Sequence, residues 1–345
     1  MAEDRYRWAD PALEEVADGI YRCPLPLPGD ALRAVNAYLL RCDQGWLLID
    51  CGWDRPESRV GLEAALGRLG ASVKQVTAIF ATHVHRDHLG LAGWVRSESG
   101  AWLTLGLGDR ETQVAFASDP GSARQSSLDR LLLCSAQDVA ARLVEGARGQ
   151  PEDRWVPPAP DIYLRGDEML LPGDFELQVL ATPGHTRGHL CLFDRPRGIL
   201  FTGDHVLPQI TPSLGVELPS GDSPLARFME SLELVRELPA QLVLPAHGPV
   251  FSKLRQRVDE LLEHHRARLD SCLEVVRVQG STPREVAGAL PWTRRRKHFS
   301  ELDPFNQMLA IFESEAHLLV LTEQGRLRSE MTDSVVRYLP IQSRS

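Results

Sequence analysis

The stretch ATHVHRDHLG, residues 81–90, sets His83, His85, Asp87 and His88 within six consecutive positions. It follows VTAIF (76–80), a short apolar, partly β-branched run that reads as a buried strand, and it runs into LGLAGWVR (89–96), which has helical spacing. The cluster therefore sits where a strand ends and a helix begins. In layered α/β folds ligands bind at such strand ends, because the loops there are free to converge. Alternation lets His83 and His85 face one point while Asp87 and His88 turn towards a second. Divalent ions of the zinc type take about four nitrogen, oxygen or sulfur ligands each, so four donors from one loop predict further ligands downstream. The chain supplies them: His185 in ATPGHTRGH (181–189), Asp204 in FTGDHVL (201–207) and His247 in LPAHG (244–248), each directly after an apolar strand pattern.

The motifs HVHRDH, TPGHT, TGD and PAHG, in that order, resemble those of the metallo-β-lactamase superfamily of binuclear metal hydrolases, and the match covers most of residues 20–250. The resemblance implies an α/β fold, the four-layer αββα sandwich. It also implies two divalent ions, one held by His83, His85 and His185, the other by Asp87, His88 and His247, with Asp204 bridging them. Zinc is the default ion, and iron or manganese suits the same donors. Asp50, at the end of the strand LLIDCG (47–52), matches the family aspartate that braces the ligand loop; a ligating imidazole needs its other N–H fixed. Asp87 both ligates and lies beside the attacking water, which makes it the candidate catalytic proton shuttle. His189, shortly after TPGHT, reads as a supporting residue, and Trp53 and His205 are candidates for substrate contact. No GxSxG elbow and no P-loop compete with this chemistry.

The remaining sequence bounds the architecture. The 345 residues suit one large domain and a smaller one, and 43% apolar with 25% charged residues supports a full core. A net charge of −9 argues against a polyanionic partner, so nucleic acid is not expected. Six scattered cysteines without a CxxC pair, no export signal and no membrane-length apolar run point to reduced thiols and a cytoplasmic protein. Residues 1–252 read as the hydrolase domain, interrupted at 109–160 by a helical insertion placed to act as a lid. Residues 253–345 read as three helices and a two-stranded wing. Thr282, Pro283 and Glu285 form a capping box at the second helix, and Gly325 stops the third. That order resembles a winged-helix module, and a core followed by such a module resembles the lactamase-β-like subfamily. A module packed on a neighbour's site suits a homodimer. The basic run RRRK (294–297) reads as a charged face.

Function follows as an expectation: a metal-bridging hydroxide attacks an ester-like bond in a small molecule, foremost a thioester of the acyl-CoA or acyl-carrier type. The alternatives are a phosphodiesterase or endoribonuclease of the lactamase-β-like type and a mononuclear iron persulfide dioxygenase. A DNA-binding regulator would need a basic recognition helix, whereas NQMLAIFESEAHLLVL (306–321) is acidic and apolar.

Overall fold

The structure is a computed structural model that describes residues 4–119, 121–148, 155–216, 223–293 and 296–341. Seven strands, β1 (Glu14–Ala17), β2 (Ile20–Pro26), β3 (Ala34–Cys42), β4 (Gly45–Ile49), β5 (Val76–Phe80), β6 (Trp102–Gly106) and β7 (Ile162–Leu164), form one sheet in sequence order. Pairing is antiparallel up to β4 and parallel from β4 to β7. A second sheet holds β8 (Met169–Leu170), β9 (Leu177–Ala181), β10 (Leu190–Asp194), β11 (Ile199–Gly203) and β12 (Leu242–Pro245), in the order β12-β11-β10-β9-β8. A hairpin of β13 (Leu327–Thr332) and β14 (Val335–Pro340) forms a third, two-stranded sheet.

The two-residue period of a strand explains the layers. On β3, Tyr38 and Leu40 face inward and meet Val179, Leu192 and Phe201 of the second sheet, while Ala37 and Leu39 point outward. The outward face is covered by α1 (Pro56–Arg68), the short α2 (Arg86–Leu89) and α3 (Ala92–Ser99). Three helices follow in the insertion, α4 (Arg110–Ser118), α5 (Ser122–Leu133) and α6 (Gln137–Gly146). The outer face of the second sheet, with Cys191, Phe193, Leu200 and Val243, is covered by α7 (Pro224–Arg236) and α8 (Leu254–Val275). Helices on both outer faces of two stacked sheets make the αββα sandwich.

That outer core does not stop at residue 252. It runs from the second sheet through α7 and α8 to α9 (Pro283–Ala289) and α10 (Pro304–Glu323), and it takes in Leu131, Cys134 and Val139 of the insertion. Met308, Ile311, Phe312, Leu318 and Leu321 of α10 are all buried, as befits a helix apolar on most sides. The insertion docks on the same helix: Arg130 pairs with Glu315, and Arg142 donates to Gln307. The capping box at Thr282 and Glu285 is present. The preceding helix α8 ends at Val275, and beyond it Ser281 pairs with Tyr338 of β14.

Arg294 and Arg295 of the basic run lie outside the described residues. The six cysteines are free thiols. No described helix is long and apolar enough to cross a membrane.

Candidate metal centre

Five strand ends build the site. Beyond β4, Asp50 adopts a left-handed backbone (φ 54°) and donates its N–H to Phe80 O at 2.9 Å, which ties the ends of β4 and β5 together. Its buried carboxylate then receives Thr82 N–H at 2.8 Å, the Thr82 hydroxyl at 3.0 Å and His88 Nδ1–H at 2.8 Å. Each of four imidazoles has its Nδ1 held in this way. His83 bonds Thr82 Oγ1 at 3.0 Å, His88 bonds Asp50, His185 donates to Ser213 O at 2.7 Å and His247 donates to Ala34 O at 2.8 Å. Fixing one ring nitrogen leaves the other, Nε2, as the inward lone pair.

The inward atoms form two groups. His83 Nε2 and His185 Nε2 lie 2.9 and 3.0 Å from His85 Nδ1. Asp87 Oδ2 lies 3.5 Å from His88 Nε2 and 3.3 Å from His247 Nε2. Asp204 stands between the groups and divides its oxygens: Oδ2 is 3.4 Å from His185 Nε2, while Oδ1 is 3.4 Å from His247 Nε2 and 3.7 Å from His88 Nε2. All seven residues are thus brought together, as donor sets able to hold metal ions. His88 Nε2, His247 Nε2 and Asp204 Oδ1 are buried without a hydrogen-bond partner, and a cation among them would offset that cost.

Charge distinguishes the two groups. Burial, reinforced by neighbouring imidazoles, pushes His83 well below the ordinary histidine range and His85 down to about 3; burial also lowers His185. Burial opposes charge on His88 too, but Asp87, Asp50 and Asp204 outweigh it and raise His88 well above the ordinary value. His247 is likewise raised by Asp204 and Asp87 against burial. Without metal, the first trio already has the neutral form that ligates, whereas His88 and His247 must each release a proton. Raised values favour the protonated state, so affinity at the second trio falls as pH drops, starting above the ordinary histidine range of about 6.5. The first trio, lowered throughout, keeps its affinity to a lower pH than the second. In a chelator-competition series from alkaline to acidic pH, the ion at Asp87, His88 and His247 is expected to leave first.

The other expected residues are placed differently from one another. His189 is buried: its Nε2 accepts the Asp204 N–H at 3.1 Å, and its Nδ1 lies 2.8 Å from Thr182 Oγ1, so it holds the backbone of Asp204. His205 is fully buried with its ring 5.1 Å from that of Phe228 on α7, and the structure does not bring it into the cluster. Trp53 is half-buried, with the Arg55 guanidinium 4.4 Å above its ring. One residue was not singled out by its sequence context. Asp109, fully buried where the insertion begins, receives Val84 N–H at 2.9 Å, Gly188 N–H at 2.6 Å and the Thr186 hydroxyl at 3.1 Å. It locks the loop of His83 and His85 to that of His185. The available signal was the preceding GLG: Gly106 and Gly108 pass so close to Gly188 and Arg187 that a Cβ would collide with their carbonyls.

A mixed αββα sandwich with this donor set at its strand ends defines a class of metal-dependent hydrolase. Residues 30–247 match the family model of the metallo-β-lactamase superfamily, and the chain belongs to that superfamily. It is 26% identical over 319 residues to the lactamase-like protein nscB of Aspergillus fumigatus, covering 89% of this chain and 78% of that one. An atrochrysone carboxyl ACP thioesterase of the same fungus is 24% identical over 264 residues, 76% of this chain and 49% of that protein. The crystal structure of a metallo-beta-lactamase family protein from Thermus thermophilus superposes with a TM-score of 0.80 at 28% identity, covering 95% of this chain and 100% of that one.

Proposed function

We propose that the protein is a binuclear hydrolase of an ester-like bond, its substrate a thioester of the acyl-CoA or acyl-carrier type. The observation that carries the proposal is Asp204, whose two carboxylate oxygens each face a separate donor trio. His83, His85 and His185 would hold one ion and Asp87, His88 and His247 the other, with zinc the default. When bound, such a pair supplies Lewis acidity that activates water and polarises the scissile carbonyl. The chain's own residues do the rest. Asp87 is the ligand carboxylate open to solvent, with its side chain 22% exposed against 9% for Asp204. From that open side its carboxylate takes the proton of the attacking water and passes it towards the leaving group.

A thiol, with a pKa of about 8.5, leaves more readily than an alcohol and depends less on that proton. The thioester reading draws support from the relative named as an acyl-carrier thioesterase, and the acidic balance of the chain weighs against RNA. The test is a panel of acyl-CoA and acyl-carrier thioesters, lactones, phosphodiesters and RNA, offered to metal-loaded protein with an Asp87→Ala control. Turnover of thioesters that the control lacks supports the proposal. Cleavage of RNA alone would overturn it.

A further inference from the structure

His185 Nδ1–H is held by a carbonyl of a long segment without regular structure. Residues 204–216, which follow β11, form no helix or strand, yet Ser213 O must sit 2.7 Å from His185 Nδ1. Three of the contacts that hold that segment come from the flanking helices and the core. Arg257 of α8 donates from Nε to Leu207 O at 2.7 Å and from Nη2 to Ile210 O at 2.8 Å. Leu214 is buried in the core shared by the second sheet and the C-terminal helices. Arg130 of α5 donates from Nη1 to Gly215 O, and its guanidinium is itself fixed by Glu315 of α10 at 2.5 and 2.6 Å. Gly215 is required here: its φ is +80°, and a Cβ would lie 3.2 Å from Phe312 O and 3.4 Å from Arg130 Nη2.

We propose that Arg130 and Arg257 are positioning residues that set His185 through this segment, so that the insertion and the C-terminal helices build the metal centre as well as cover the sandwich. The inference rests on the reading of His185 as a ligand. A carbonyl fixed at Ser213 decides which nitrogen of His185 carries the proton, and thereby aims the lone pair of Nε2 at His85 and Asp204. Among the described residues, buried Leu214 beside Ser213 and the two guanidiniums supply that fixity. Arg130 makes a forked contact to Glu315 and still donates to a carbonyl, a geometry that lysine does not reproduce.

The test compares Arg130→Ala and Arg257→Ala with Arg142→Ala, which cuts another tie between the insertion and α10 without touching residues 204–216. Two quantities are read: the slowly exchanging Nδ1 proton of His185 in metal-free protein by nitrogen-edited NMR, and retention of zinc against a chelator. Arg130→Ala and Arg257→Ala are expected to lose the proton signal and to weaken zinc retention by about 10- to 100-fold, whereas Arg142→Ala keeps both. Unchanged signal and retention in Arg130→Ala would overturn the proposal, and so would equal losses in Arg142→Ala. Should Arg130→Ala not fold, Arg130→Lys takes its place with the same expected direction. A wild-type chain that shows the His185 signal but retains no zinc would instead sink the metal reading alone.

Discussion

Asp204→Asn is expected to abolish binding at one of the two trios and to lower turnover by about 10²- to 10³-fold, the scale on which a preorganised electrostatic group contributes to catalysis. The substitution keeps shape and removes one charge. Asn offers a single acceptor oxygen, so it serves one trio and presents an NH2 to the other, towards His185 or towards His247 and His88. The charge matters a second time: Asp204 opposes the burial of His247 and helps keep it protonated. In Asp204→Asn the metal-free His247 therefore titrates lower than in the wild type, and NMR of the metal-free protein follows it directly. Loss of turnover with that downward shift fits a carboxylate shared by two trios. Full activity with one ion per chain would mean that Asp204 bridges nothing.

The second large effect belongs to Asp50. It is 2% exposed and accepts from Thr82 N–H, the Thr82 hydroxyl and His88 Nδ1–H. Asp50→Ala leaves a buried N–H and a buried imidazole donor unpaired and removes one of three carboxylates that raise His88. Breaking one side of a buried charged contact costs about 3–5 kcal/mol, so the denaturation midpoint of the metal-free protein should fall accordingly. Zinc affinity at the second trio should fall by about 10- to 100-fold, as for other residues that orient a ligand. A stability loss with unchanged affinity would show that Asp50 joins β4 to β5 and does nothing for His88.

Much of the site was legible because its chemistry is concentrated at strand ends. Each candidate ligand follows an apolar run directly, and a strand fixes where its last residue emerges, so HVHRDH, TPGHT, TGD and PAHG already implied convergence. The supports were hidden for a physical reason. Ser213 and Ala34 act through backbone carbonyls, which leave no mark on residue type. Asp109 looked like any acidic residue opening a helix, and only the folded chain brings residues 84, 186 and 188 to it. Amphipathic patterning also has a limit. It marks helices in the insertion and in residues 253–345, but helical spacing carries no label for a helix's partner. The structure has them cover one another, with Leu131 and Val139 in the same core as Ile311 and Leu318.

The most direct measurement is the number and position of bound ions, from anomalous diffraction on crystals of zinc-loaded protein with elemental analysis of the same sample. Two ions per chain are predicted, one among His83, His85 and His185, one among Asp87, His88 and His247, with an Asp204 oxygen on each. A single ion at the first trio, with Asp204 turned away from the second at alkaline pH, would contradict the binuclear centre on which the proposed hydrolysis depends.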